Sequence, residues 1–233
     1  MKYLLIVPGY PSKDDIYNCG FVHSRVKCYL KEGLDIDIFV VNNKKYNEYV
    51  YEDVKVKEGC LSELEQLMKT NKYQKILIHF VNYQHIDTIL ENRKGANLLI
   101  WVHGYEALGW YRRMFLLNIK KIPSFIYYII KNTIQLKMMR RIIKDNQNII
   151  KFIFVSEWMK NILETDTMTK GKIYNYEIIP NIVNEEIFKY EIKKETMRYN
   201  ILSIRSYDSK KYANDISVKA VLELSKRKNF EKY

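Results

Sequence analysis

Short, almost uninterrupted runs of Ile, Val, Leu and Phe return along this 233-residue chain at 3–7, 36–41, 76–80, 98–102, 152–155, 178–179 and 201–204, with helix-patterned segments between them. A strand that is apolar at nearly every position has both faces covered, and strands separated by helices pair in parallel through crossovers. The pattern therefore predicts an α/β fold, a mostly parallel sheet with helices on both faces. The composition, 47% hydrophobic and 28% charged, supplies enough apolar side chains to bury a sizeable core.

In such sheets ligands collect outside the carboxyl ends of the strands. Residues 98–106, Leu-Leu-Ile-Trp-Val-His-Gly-Tyr-Glu, run from a buried strand straight into His103, Gly104 and Glu106. A titratable histidine there, beside a glycine that lets backbone approach closely, suits chemistry; it equally suits a histidine that caps the strand. His79 repeats the placement at the end of 76–80, with Asn82 and His85 just beyond. After the first strand, Pro8-Gly-Tyr-Pro-Ser12 breaks regular structure, and a polar loop leads through Asn18-Cys-Gly20 into a helix pattern over 21–31. The amides of a helix start beside Gly20 suit a phosphate, although neither a GxGxxG nor a Walker fingerprint is present, and an ordinary βα loop reads the same way. Ser156 follows the strand at 152–155 as a helix N-cap, and without a GxSxG context it is no hydrolase nucleophile. Arg205 and Lys210 follow the last run, where a diphosphate clamp would need cations.

The net charge is +12, and residues 110–151 hold ten Lys and Arg against one acid, Asp145, a local excess of +9. Ile126, Ile130, Ile134, Met138 and Ile142 recur every fourth position there and predict a long helix with an apolar side. Arg112, Arg113, Lys137, Arg140, Arg141 and Lys144 lie near it, among Trp110, Tyr111, Phe115, Phe125, Tyr127 and Tyr128. Apolar insertion combined with attraction to anionic headgroups makes this a membrane-surface element; the plainer alternative is a core-facing helix with a solvated basic face. Nucleic acid is disfavoured as the anionic partner, because no RRM, KH or similar signature is present. Cys19, Cys28 and Cys60 show no CxxC spacing, which implies a reducing compartment and no structural zinc. The amino-terminal apolar run stops at Pro8-Gly9, too short for a signal peptide, and no run reaches the length of a membrane span. The expected location is cytoplasmic, peripheral on the inner face of the membrane.

Taken in order, the Gly20 loop, His103-Gly104, Val155-Ser156, Ile179-Pro180-Asn181 with Phe188, and Arg205 with Lys210 resemble the retaining GT-B glycosyltransferases of the family-4 type. The resemblance implies two Rossmann-like domains across a cleft. It implies an acceptor-side domain over 1–195 with a basic amphipathic insertion at about 110–150, and the first strand and helix of a donor-binding domain over 196–233. It implies hexosyl transfer from a nucleotide-sugar to a lipid-linked or saccharide acceptor, as in surface polysaccharide synthesis. His103 would sit by the transferred sugar, Gly20, Arg205 and Lys210 by the donor phosphates, and His79, Asn82, Gly104, Glu106, Ser156 and Asn181 would line the pocket. Cations and amides would stabilise the leaving diphosphate, with no metal and no cofactor. The chain departs from the family at Ile182, where the usual turn has glycine, at the adjacent Lys211, which competes with Lys210 for the phosphate, and in lacking the acidic donor motif of the family. Two expectations follow: an enzyme of this class that lacks turnover as the 233-residue chain alone, or a non-catalytic acceptor- or membrane-binding module derived from one.

Overall fold

The computed structural model describes residues 2–43, 45–117, 122–183, 189–192, 194–197 and 212–230. The chain divides into two units, Met1–Arg112 with Tyr127–Asn184, and Arg113–Ile126 with Glu185–Tyr233. In the first unit the strands are β1 (Lys2–Val7), β2 (Asp35–Val41), β3 (Asn47–Tyr51), β4 (Val54–Gly59), β5 (Lys75–His79), β6 (Asn97–Val102), β7 (Ile150–Phe154) and β8 (Tyr176–Ile178). They form one sheet in the order β3-β4-β2-β1-β5-β6-β7-β8. Adjacent strands are parallel throughout except for the antiparallel β3–β4 pair. The fold is α/β and Rossmann-like.

The near-continuous apolar runs have the cause expected of them. Alternate residues Leu4, Ile6, Phe39, Ile78, Ile100 and Phe152 pack on one face with Leu64 of helix α2 (Leu61–Thr70), Ile86 and Ile89 of α3 (Ile86–Asn92), Met139 of α4 (Ile122–Asp145) and Leu163 of α5 (Glu157–Asp166). The intervening residues Leu5, Val7, Ile38, Leu77, Trp101 and Ile153 pack on the other with Val22 and Val26 of α1 (Gly20–Lys31). Each buried aliphatic side chain contributes about 1.5–3 kcal/mol of transfer free energy, so both faces are needed.

The β3–β4 hairpin is absent from the run-based reading because its strands alternate instead: the buried Val54 and Val56 are interleaved with the exposed Lys55 and the half-buried Lys57. Its two turn residues, Glu52 (φ 42°) and Asp53 (φ 64°), are both left-handed. The predicted apolar side of α4 also differs in the structure. Met138 and Ile142 are buried, but Ile130 and Ile134 are 54% and 43% exposed. Each fourth-residue step on a turn of about 3.6 residues rotates by about 40°, so the stripe winds off the core. Asn132 and Gln135 take the inward positions there. Asn132 accepts from Trp110 N at 2.7 Å and donates to Leu108 O at 2.9 Å; Gln135 accepts from Tyr83 N at 3.0 Å and donates to Val81 O at 2.8 Å. These amides bolt α4 to the loops after β5 and β6.

In the second unit, α6 (Asn214–Ser225) exposes Ile216, Val218 and Leu222, and Lys219 lies 3.9 Å from Asp215. The expected strand at 201–204, together with Phe188, Arg205, Lys210 and Lys211, lies outside the described residues. Among the described residues no helix is long and apolar enough to cross a membrane.

Candidate functional site

The chain builds β1, moves outward through β2 and β4, and then returns to the other side of β1 with β5. The strand order therefore reverses between β1 and β5, and the crevice beyond their carboxyl ends is where this class of sheet receives ligands. The loop after β1 leads into α1, and β5 ends on His79.

Three rings make a ladder at this point. In the pairing of β5 with β6, His79 lies opposite Trp101, and their rings stack at 5.0 Å with an interplanar angle of 10°. His103, two residues beyond Trp101, stacks on the other histidine at 5.0 Å and 16°. Phe21 from the first turn of α1 meets His103 edge-on at 4.9 Å, and Phe80 tilts against it at 4.7 Å. One turn along α1, Arg25 lays its guanidinium 5.3 Å from the centre of the Trp101 ring.

The two histidines share a hydrogen bond, His79 Nδ1 to His103 Nε2 at 2.8 Å. His79 Nε2 is buried with no partner among the described residues. An orphaned N–H is harder to bury than an orphaned lone pair, so the favoured tautomer puts the proton of His79 on Nδ1, which donates to His103 Nε2. His103 is then left with its proton on Nδ1, as a neutral donor. Burial, reinforced by the charge of Arg25, pushes the His103 pKa down to about 4. Burial, then His103 and Arg25, push His79 well below the usual histidine range. Both rings are neutral at pH 7, and His103 is suited to offering a hydrogen bond, not to taking a proton.

Glu106 fixes the turn that carries His103. Its carboxylate is buried and accepts from His103 N at 2.7 Å and Gly104 N at 3.2 Å, the kind of charge-assisted bond that holds a loop firmly. Gly104 has φ 136°, a backbone conformation that calls for glycine, and a Cβ there would lie a tight 3.3 Å from Met159 Cε of α5.

Gly20 opens α1 after Cys19, which has φ 55° and makes no side-chain cap. A Cβ at Gly20 would meet nothing within 4 Å, so the helix start faces open space. Ser156 caps α5, its Oγ accepting from Met159 N at 3.2 Å. Asn82 Oδ1 accepts from Gln84 N at 2.9 Å and shapes the turn after β5. Asn181 is exposed, next to Pro180, whose carbonyl accepts from Arg25 Nη2 at 3.2 Å. The structure thus gathers His79, His103, Gly104 and Glu106 into one cluster, and joins it to the helix of Gly20 and to the Pro180-Asn181 segment through Arg25. Sequence reasoning passed over Arg25 because a charged residue in a helix pattern ordinarily faces solvent. The signal was its i+4 spacing from Phe21 at the helix start.

The basic segment is partly neutralised by acids from elsewhere in the chain. Arg112 Nε bonds Asp166 Oδ2 at 2.8 Å, and Arg141 and Lys151 pair with Asp87 and Glu177. The side chain of Asp166 is sealed from solvent. Burial raises its pKa, but the bonds from Arg112, Tyr111 and Gly109 N outweigh this and hold it below the usual range. Arg112 therefore braces the loop after β6 and is not a free surface charge. Arg113 is half-buried, and Arg140 Nη1 lies 3.7 Å from Met168 Sδ. Lys137 and Lys144 are exposed on α4 without ion pairs among the described residues.

A second concavity, about 780 Å³, opens beyond the carboxyl ends of β1, β2 and β4, with Tyr10, Ser12, Asn18, Asn42, Tyr49 and Glu58 among its lining. Among the described residues no group of three or more His, Cys, Asp and Glu is placed to hold a metal ion. No protein-family model matches the chain, and no curated protein matches it.

Proposed function

We propose that the chain is the acceptor-side part of a nucleotide-sugar-dependent glycosyltransferase of the retaining GT-B, family-4 type. The observation that carries the reading is His103, a neutral donor held by His79 and Glu106 at the carboxyl end of β6, beside the strand-order reversal. In the proposed reaction the bond from the anomeric carbon to the donor diphosphate breaks as the acceptor hydroxyl forms the new one. Negative charge collects on the departing diphosphate, and an oxygen of that diphosphate takes up the proton that the acceptor hydroxyl gives up. His103 Nδ1–H would hold a hydroxyl of the transferred sugar. The amides at Gly20, with Arg205 and Lys210, would receive the diphosphate charge. His79 keeps the required tautomer on His103.

The test is a hexosyl-transfer assay of the protein expressed from its complete reading frame, with a panel of nucleotide sugars and lipid-linked acceptors. Loss of a positioned donor in a dry site lowers kcat by about 100-fold, and His103→Ala should do so with KM nearly unchanged. Transfer that survives the substitution, or no transfer from any donor, sinks the reading.

A second reading, a membrane-binding module, is favoured by α4, which exposes Tyr127, Ile130 and Ile134 alongside Lys137 and Lys144. This combination suits the anionic inner face of a cytoplasmic membrane. The two readings are compatible for an enzyme whose acceptor is lipid-linked.

A further inference from the structure

Arg25 is only 5% exposed, yet no carboxylate among the described residues pairs with it. A buried charge without a counter-charge is expensive, and proteins keep such groups where something else completes them. Among the described residues Arg25 meets neutral groups: the Pro180 carbonyl at 3.2 Å, the Trp101 ring, and the neighbouring Tyr29. Its Nε is buried and unpartnered. Two further buried nitrogens without partners belong to the same stack, Trp101 Nε1 and His79 Nε2. Buried polar atoms are nearly always satisfied, so three orphans around one indole mark a shortage. Two are N–H donors, the surroundings are positive, and acceptor oxygens with negative charge are what is missing. Water would satisfy the N–H groups but not the charge.

We propose that Arg25 is the fixed charge of an oxyanion subsite between α1, the Trp101 end of β6 and Pro180, which takes a phosphate group. Pro180 is exposed and roofs the guanidinium, and its carbonyl oxygen stands where a phosphate oxygen would accept from Nη2. Phosphate exchanges with that carbonyl and uses the guanidinium fork, which a planar arginine offers and a lysine does not. The existence of this subsite does not depend on sugar transfer.

The readout is the melting temperature, with Trp101 fluorescence in a Trp110→Phe/Trp158→Phe background as a second signal. The probes are inorganic phosphate, a nucleoside diphosphate and a short-chain alkyl phosphate, each against chloride at equal ionic strength. Native protein should be stabilised by at least one of them up to about 10 mM, and the responding arm tells a free, nucleotide or lipid phosphate apart. Arg25→Met keeps the aliphatic stem over the indole and removes the unpaired charge. It should leave the ligand-free melting temperature equal or higher and weaken phosphate binding by at least about tenfold. If the Met variant does not fold, Arg25→Lys replaces it and should weaken binding several-fold. No response to any phosphate, or equal affinity in the folded variant, overturns the proposal. Phosphate binding without sugar transfer would leave it standing and sink only the glycosyltransferase reading.

Discussion

The carboxylate of Glu106 and the imidazole of His79 serve one purpose from two sides, since the first fixes the backbone of His103 and the second fixes its tautomer. The consequence is a pH dependence with a definite sign. An unfolded histidine titrates near about 6.5, whereas folded His103 titrates at about 4 and His79 is also depressed. Between those values the unfolded chain binds protons that the folded chain excludes. Stability is therefore complete above about pH 6.5 and declines as the pH falls toward about 4. Melting temperatures across that range should fall, and His103→Gln should flatten the slope. An equal slope in the variant would show that other groups cause the decline. The location of His103 was legible in the sequence because a buried strand ending in His-Gly identifies itself. Its pairing with His79 was not, since register between two strands is a property of the sheet.

At the scale of elements, what could be read was whatever is buried on both sides. The runs that became β1, β2, β5, β6 and β7 announced themselves, while β3 and β4 alternate and lie at the edge, where half of each strand meets water. Their turn was hidden too, because Glu52-Asp53 occupies positions where Asn-Gly is the usual signal. Asp53→Gly should relieve the left-handed backbone and stabilise the protein by about 0.5–1 kcal/mol, seen as a higher urea midpoint; a lower midpoint would show that the turn is not strained. The basic segment taught a related lesson. A charge count along the chain cannot see that Arg112 and Arg141 meet Asp166 and Asp87, which come from other elements. The proposed membrane attraction rests on Lys137, Arg140 and Lys144. Replacing these three with Gln removes about 1 kcal/mol each, so binding to anionic vesicles in flotation should weaken about a hundredfold. Undiminished flotation would remove the electrostatic argument.

For the molecule as a whole, the sequence allowed the α/β class and the parallel sheet to be read from periodicity alone. It did not disclose the strand order, because nothing local tells β5 to cross back over β1 instead of extending the outer edge beyond β3. That crossing has a kinetic side. The pair β1–β5 joins Tyr3 to Lys75, with α1, β2, the hairpin and α2 all strung between them. Closing so long a loop costs entropy that no nearby contact repays, so the seam forms late in folding, after β1 has met β2. Pulse-labelled hydrogen exchange during refolding should find β5 amides protected after those of β2; simultaneous protection would refute this. The crevice at the strand-order reversal is therefore also the last joint of the sheet to close, and any molecule that bridged it would act as a clasp on the fold.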